Sequence, residues 1–213
     1  MIRSIVLAAA LLTGASAQAV TFSSVAFNPV PHGQIVVDDF DAPAPGVTLT
    51  GSYTVDNLSV SGIRAAPFGD TTKYFATPGS ADATPGMAKI DISGFAAGHS
   101  AIKRLSFYWG STDTYNTLTL LGTGLTGQTV FTGSDVNPPA NGDQSSAMTN
   151  RTVTFAFAPG EKVTGLMLAS GQRAFEIDNI TAAVPEPAMW GMMVVGFGMV
   201  GTAFRRRSRT VAA

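Results

Sequence analysis

The side chains that could do acid–base, nucleophilic or redox chemistry are few in this sequence, and their spacing matches no catalytic motif. The two histidines, His32 and His99, lie in Pro-His-Gly and Gly-His-Ser, which are turn sequences. There is no cysteine, and neither a G-x-S-x-G nor an H-E-x-x-H motif occurs. Serines and carboxylates are so numerous that a triad could be assembled from them by chance. We therefore expect a protein that is not an enzyme, and we assign no catalytic residue.

Two acidic stretches carry oxygen atoms of the kind that calcium binds. They supply Asp38, Asp39 and Asp41 from VVDDFDAP, and Glu176, Asp178 and Asn179 from FEIDNIT. The DDF opening and the IDNI ending resemble the first and last strands of jelly-roll carbohydrate-binding modules, and this resemblance implies a shared structural calcium. The residue types also fit solvated strand ends and turn caps, which is the interpretation we prefer. No metal ligand and no cofactor is therefore assigned, and calcium stays as the alternative.

Three aromatic residues lie close together in the segment from Ser106 to Leu120. Tyr108, Trp109 and Tyr115 could form a platform on which sugar rings stack, because aromatic faces combine apolar area with a polar atom. An inward-facing Trp109 would instead belong to the core, which is the more common role of such a residue.

Short β-strands must position these side chains, because apolar and polar residues alternate between turn residues. In RLSFYWG, for example, Leu105, Phe107 and Trp109 share one face. The other runs with this pattern are 34–40, 47–55, 87–93, 116–121, 128–132, 152–160, 162–169 and 173–181. The pattern predicts about ten strands in an all-β, antiparallel β-sandwich of jelly-roll-like type, since no room is left for crossover helices.

Two segments lack the alternation and are predicted to be long surface loops. They are 64–86, rich in Pro, Gly and Ala, and 133–150. Serine and threonine at the outward positions of the strands predict a solvated outer face.

The charge of the predicted domain, residues 20–184, excludes one class of partner. Eight basic and thirteen acidic residues give it a net charge of −5. Nucleic-acid binding needs clustered positive charge, so we expect no nucleic-acid partner.

Residues 1–19 have the three-part layout of a secretory signal peptide. Arg3 precedes an apolar run at 5–12, and two A-x-A patterns follow at 15–17 and 17–19. The apolar run is too short to span a bilayer. We expect export through the Sec translocon and cleavage by signal peptidase at one of the two patterns.

The C-terminal segment, 185–209, has three parts of different character. Pro185-Glu186-Pro187 can neither continue a strand nor enter a helix interior, so the domain is predicted to end at 184. Residues 188–204 then carry no charge, and as a helix they would extend about 26 Å, enough for a short membrane span. The third part is an arginine block, which predicts that this end faces the cytoplasm.

Motif, span and basic block in this order resemble the PEP-CTERM sorting signal of Gram-negative bacteria, in its PEPxxW form. The resemblance implies recognition and processing by an exosortase, a membrane-embedded cysteine transpeptidase. The implied sorting residues are Pro185, Glu186, Pro187, Trp190, Arg205, Arg206 and Arg207. Gly191 stands where this form more often has alanine. The same tail is also known as an ice-binding protein C-terminal domain, a name that implies no ice binding here.

The sequence therefore predicts a non-enzymatic, exported protein that carries a sorting tail. It is expected to stay in the inner membrane transiently, with the domain in the periplasm, and then to reach the outer surface, the medium or the exopolysaccharide matrix. The first alternative is a carbohydrate-binding module with a structural calcium. The second is a hydrolase that acts on matrix polysaccharide.

Overall fold

The structure is a computed structural model, and it describes residues 19–26, 33–80, 84–99 and 101–185, together with positions 197 and 199. In these residues the chain forms twelve strands and two short helices. The strands are β1 (Thr21–Ala26), β2 (Ile35–Asp38), β3 (Thr48–Gly51), β4 (Thr54–Asp56), β5 (Tyr74–Thr77), β6 (Gly86–Asp91), β7 (Arg104–Gly110), β8 (Asn116–Thr123), β9 (Val130–Thr132), β10 (Arg151–Ala156), β11 (Lys162–Ser170) and β12 (Phe175–Ala183). The helices are α1 (Ser93–Ala97) and α2 (Gly133–Val136). The prediction of a mostly β chain with little helix is confirmed for this part of the chain.

The strands form two sheets, and every pairing between them is antiparallel, as predicted. The seven-stranded sheet has the order β1-β10-β7-β12-β5-β4, with β2 also paired to β12, and the five-stranded sheet has the order β3-β6-β11-β8-β9. Along one edge of β12, β5 pairs with 175–177 and β2 with 180–182. Asn179 lies between the two with a φ of 54°, in the left-handed region that asparagine tolerates. The register of β12 shifts there, which marks a bulge in this strand.

Both sheets contribute side chains to one buried apolar cluster. The rings of Phe131 from β9 and Phe155 from β10 lie 4.9 Å apart and join the two sheets. The predicted inward face of β7 is confirmed, because Leu105, Phe107 and Trp109 all belong to the cluster and are at most 1% exposed. The arrangement fits the predicted sandwich, since two sheets that share one core cover each other's apolar faces.

The prediction of surface loops at 64–86 and 133–150 is only partly right. The first segment contains β5, all four residues of which are buried. This strand shows no alternation because both of its faces are covered, so a period-two pattern could not reveal it. The prediction also missed β1. The second segment is irregular apart from α2 and an isolated bridge between Asp113 and Asn141.

The outer face of the seven-stranded sheet is not solvated at its centre, contrary to prediction. Ser106 is fully buried there, and Tyr108 is only 8% exposed. The connection between β4 and β5, residues 57–73, lies over this face, and the Tyr108 hydroxyl donates to the carbonyl of Phe68 at 2.7 Å. Gln34 covers the neighbouring position and donates to the Ser106 hydroxyl at 3.1 Å. We call residues 57–73 the covering loop.

A buried carboxylate joins two turns at one end of the sandwich. Glu161 accepts hydrogen bonds from the backbone N–H of Ala158 at 2.7 Å, and from the N–H and hydroxyl of Thr126 at 2.8 and 2.7 Å. Burial alone would raise its pKa, but these hydrogen bonds hold the pKa of Glu161 below its usual value. The ionised form is thus the one that the fold prefers.

We expect Glu161→Ala to destabilise the fold by about 2 kcal/mol at neutral pH, because three donors lose a charged acceptor. Since the folded pKa is depressed, this stabilisation is present above the unfolded pKa and is lost as the pH falls through the folded one. Urea unfolding of the full chain in detergent should therefore show that Glu161→Ala has a lower free energy of unfolding than the unsubstituted chain at pH 7. This difference should become smaller as the pH is lowered. Lys162→Ala, at the exposed neighbouring position, is the control. If the difference in the free energy of unfolding were equal at all pH values, Glu161 would not stabilise the fold through its ionised carboxylate.

Candidate functional site

The ionisable residues of β12 lie in a polar layer between the outer face of the sheet and the covering loop. Glu176 is 1% exposed, and its carboxylate accepts from the backbone N–H of Ala65 at 2.9 Å and from the Ser111 hydroxyl at 3.2 Å. Burial raises the pKa of Glu176 to about 7, although these two hydrogen bonds oppose the rise. The interpretation of Glu176 as a solvated strand-end residue is therefore wrong, because the loop encloses it.

Asp178 lies in the same layer and faces a second carboxylate. Its Oδ2 accepts from the amide of Asn179 at 2.6 Å and lies 3.3 Å from the Thr72 hydroxyl. That hydroxyl also donates to Asp70 Oδ1 at 2.6 Å. Burial raises the pKa of Asp178 to about 9, and the neighbouring Asp70 carboxylate contributes to the rise. The second oxygens, Asp70 Oδ2 and Asp178 Oδ1, are both buried without a hydrogen-bond partner.

Sequence reasoning missed Asp70 and Thr72 because it placed both in an exposed loop. Their local signal is the sequence Gly-Asp-Thr-Thr, in which an Asp side chain caps the backbone two residues on. The Thr72 N–H does donate to Asp70 Oδ1, at 2.9 Å. What the pattern could not show is that this turn lies against Asp178, which is 106 residues away in the chain.

The first acidic stretch forms turn caps, as the preferred interpretation predicted, but Asp38 is buried and not solvated. Asp38 Oδ1 accepts from the N–H of Phe40 at 2.8 Å, and Asp39 Oδ1 from the N–H of Asp41 at 3.3 Å. Asp41 in turn accepts from the N–H of Lys73 at 3.0 Å. Within the described residues no three or more His, Cys, Asp and Glu side chains form a group that could hold a metal. The structure therefore does not unite Asp39 and Asp41 with Asp178.

The three aromatic residues do not form a sugar-stacking platform. Trp109 is fully buried, with its ring 4.2 Å from that of Phe175, so its interpretation as a core residue is confirmed. Tyr108 lies beneath the covering loop. Tyr115 is half-buried, and its hydroxyl donates to Asp113 at 2.7 Å or to the carbonyl of Arg173 at 2.9 Å. All three side chains take part in the fold rather than in an exposed surface.

The histidine described by the structure has a local role. Nδ1 of His99 lies 2.9 Å from the carbonyl of Phe95, and the two rings are 4.3 Å apart. His99 thus packs on α1, four residues back along the chain. The other histidine, His32, lies outside the described residues.

The last strand leads directly into the predicted sorting motif. β12 ends at Ala183, whose carbonyl accepts from the N–H of Lys103 at 2.8 Å, and Val184 packs against the core. Pro185 follows. The remaining sorting residues, Glu186, Pro187, Trp190, Arg205, Arg206 and Arg207, lie outside the described residues, as does the predicted signal peptide up to 18.

The predicted membrane span, 188–204, is described at two positions alone. Phe197 and Met199 are helical and are 71% and 67% exposed. In the part of the chain that the structure describes, no helix has the length and apolar character needed to cross a membrane.

Comparison with known proteins bears on the tail. The family model of the PEP-CTERM protein-sorting motif matches residues 183–207, which begin at the last residue of β12 and include the arginines 205–207. Searches among curated proteins and among solved structures found no match. The match confirms the sorting signal indicated by the sequence, and the chain carries the tail of an exported protein that an exosortase processes.

Proposed function

We propose that this chain is a non-enzymatic protein of the cell surface or the exopolysaccharide matrix. It passes the Sec translocon, is held transiently in the inner membrane with residues 20–184 in the periplasm, and is released when exosortase processes the tail. The observation that carries this proposal is the match of the sorting motif at 183–207.

The position of the motif relative to the fold supports the proposal. β12 pairs with three other strands, β2, β5 and β7, so its backbone is fixed almost to its end. Pro185 comes two residues after this strand, and a proline has no N–H with which to extend the ladder. The motif is therefore held close to the folded domain without being part of it. An enzyme in the membrane can reach such a junction without unfolding the domain.

The polar layer supports a structural role for the acidic residues of β12. Glu176 and Asp178 are at most 1% exposed, and their hydrogen-bond partners come from the covering loop and adjoining segments. A general acid or base must reach the proton that it transfers, directly or through one water molecule. Carboxylates closed beneath a loop favour stability over catalysis.

Carbohydrate binding is the second hypothesis, and one groove favours it. The groove has a volume of about 570 Å³ and is lined by Asp41, Pro43, Tyr53 and Lys73 among others. Tyr53 is 37% exposed, and its ring stacks on Phe75 at 5.3 Å, which fixes its orientation. A fixed, partly exposed aromatic ring beside charged groups is an arrangement that can bind a sugar.

Fractionation of cells with an antibody against the domain tests the proposed function. In cells with exosortase we expect a shortened form in the matrix or the medium, and in cells without it the full-length form in the inner membrane. The released protein should cosediment with matrix polysaccharide or surface material and should leave the polymer's length unchanged. An identical distribution in both strains would contradict the sorting route, and shortening of the polymer would establish the hydrolase.

A further inference from the structure

Two acidic side chains lie close together between the covering loop and the last strand. Asp70 belongs to the loop and Asp178 to β12. Thr72 Oγ1 is 2.6 Å from Asp70 Oδ1 and 3.3 Å from Asp178 Oδ2, so a single hydroxyl touches both carboxylates. Asp178 is fully buried, and Asp70 is half-buried. Each carboxylate has one further oxygen, and both of these oxygens are buried without a hydrogen-bond partner.

Neither of the two salt bridges found among the described residues includes Asp70 or Asp178. The side chains of Arg64 and Lys89 pair with other carboxylates. Lys73, which directly follows Thr72, instead points its Nζ at the carbonyl of Asp41, at 3.1 Å. Two carboxylates that share one hydroxyl repel each other when both are ionised, and a positive charge between them removes that repulsion.

The available atoms identify the class of cation that would fit. Asp70 Oδ2 and Asp178 Oδ1 are oxygen acceptors, and the Thr72 hydroxyl supplies a third oxygen that lies against the other oxygen of each carboxylate. An all-oxygen set suits a hard divalent cation, and calcium tolerates irregular geometry better than magnesium does. Two carboxylates are few for calcium, so backbone carbonyls or water would have to complete the coordination. Such sites belong to the weak class found in extracellular modules.

We propose that Asp70 and Asp178, with the hydroxyl of Thr72, bind one calcium ion that fastens the covering loop to the last strand. This site differs from the set Asp39, Asp41 and Asp178 considered from the sequence, because its second carboxylate comes from the loop. The ion would replace the like-charge contact by two attractive ones. It would thereby close the polar layer over the outer face of the sheet.

The test is calcium titration of the full-length chain in detergent, at pH 7.5, after removal of metals with a chelator. Calorimetry should detect a single site with a Kd of about 0.1–1 mM. Calcium at about 5 mM should raise the Tm by about 5 °C through binding to the folded state, and magnesium should raise it less. Asp178→Asn and Asp70→Asn should each abolish the calcium response.

Matched variants separate this site from general effects of calcium on an acidic protein. Asp143→Asn removes a carboxylate that forms only a local turn with Ser145, so it should keep the full response. Asp39→Asn and Asp41→Asn should keep it as well. If Asp178→Asn fails to fold, Asp70→Asn, in the half-exposed loop, decides the question.

Two results would overturn the proposal. One is no binding heat and no change in Tm for the unsubstituted chain. The other is a calcium response that survives in both Asp70→Asn and Asp178→Asn.

Discussion

Replacing Pro185, Glu186 and Pro187 with alanine is expected to leave the chain at full length in the inner membrane. The surface-released form should fall below detection, which is the largest effect that we expect of any substitution in the tail. The reason is that the sorting motif, matched at 183–207, contains these residues near its start. The three alanines remove the recognised sequence while leaving the apolar segment and the arginines intact.

The physical argument rests on where the motif is placed. In the proposed route the arginine block would orient the tail with its end in the cytoplasm, and the motif would then lie at the outer interface. The two prolines exclude the junction from both the sheet and a helix interior. Alanine is the best helix former and imposes no such restriction. The junction would then lose both its recognised sequence and the conformational restriction that the prolines impose.

The composition of the apolar segment also predicts a poor permanent anchor. Residues 188–204 are seventeen in number and include glycines at 191, 196, 198 and 201. Glycine costs about 1 kcal/mol relative to alanine in a helix interior, and a short span fits the bilayer with some mismatch. These properties agree with a segment that is used once and then removed.

Immunoblots of inner-membrane and released fractions measure the outcome, and mass spectrometry identifies the new C-terminus. Ser208→Ala with Thr210→Ala is the control, because both positions lie in the tail but beyond the matched residues. It should be processed as the unsubstituted chain is. Released protein that still contains the 205–209 peptide would show that the tail is a lasting anchor.

The sequence pattern was most informative where a strand has one covered face. The alternation in β7 placed Leu105, Phe107 and Trp109 on one face of the strand, and all three are in the apolar cluster. It failed at β5, which is covered on both faces and therefore shows no alternation. The outward residues of β12 were interpreted as solvated for the same reason. An alternation of apolar and polar residues distinguishes the two faces of a strand, but it does not show whether a loop covers the polar face.

The candidate sites differ in whether their residues are close together in the sequence. The sorting motif is local in sequence, so spacing alone identified it, and the family model confirms it. The pairing of Asp70 with Asp178 depends on contacts across more than a hundred residues and on a loop whose sequence is rich in turn residues. No local pattern contains that information. The sequence Gly-Asp-Thr-Thr is typical of a turn, but only the fold shows what this turn lies against.

Trp109→Ala is expected to destabilise the domain strongly. Truncation of a large buried aromatic residue costs about 3–5 kcal/mol, against a total stability of about 5–15 kcal/mol for a domain of ordinary size. The Trp109 ring is fully buried, lies 4.2 Å from Phe175, and stacks near Phe107 at 6.4 Å. Removing it would leave a cavity at the centre of the seven-stranded sheet, where β7 pairs with both β10 and β12.

The indole N–H sharpens this prediction, because Trp109 Nε1 is buried without a hydrogen-bond partner. A buried, unpaired donor costs about 1–3 kcal/mol of stability. The Trp109 ring therefore stabilises the fold through its apolar area and not through its polar atom. Trp109→Phe keeps most of that area and removes the unpaired donor, so we expect it to cost much less than Trp109→Ala. Urea unfolding of the full chain can be followed by circular dichroism. The unsubstituted chain and Trp109→Phe should both have a higher urea midpoint than Trp109→Ala. Trp190→Ala, in the tail, should leave the midpoint of the domain unchanged. If Trp109→Ala kept the unsubstituted midpoint, Trp109 would be a surface residue, and the sugar-stacking hypothesis would have to be reopened.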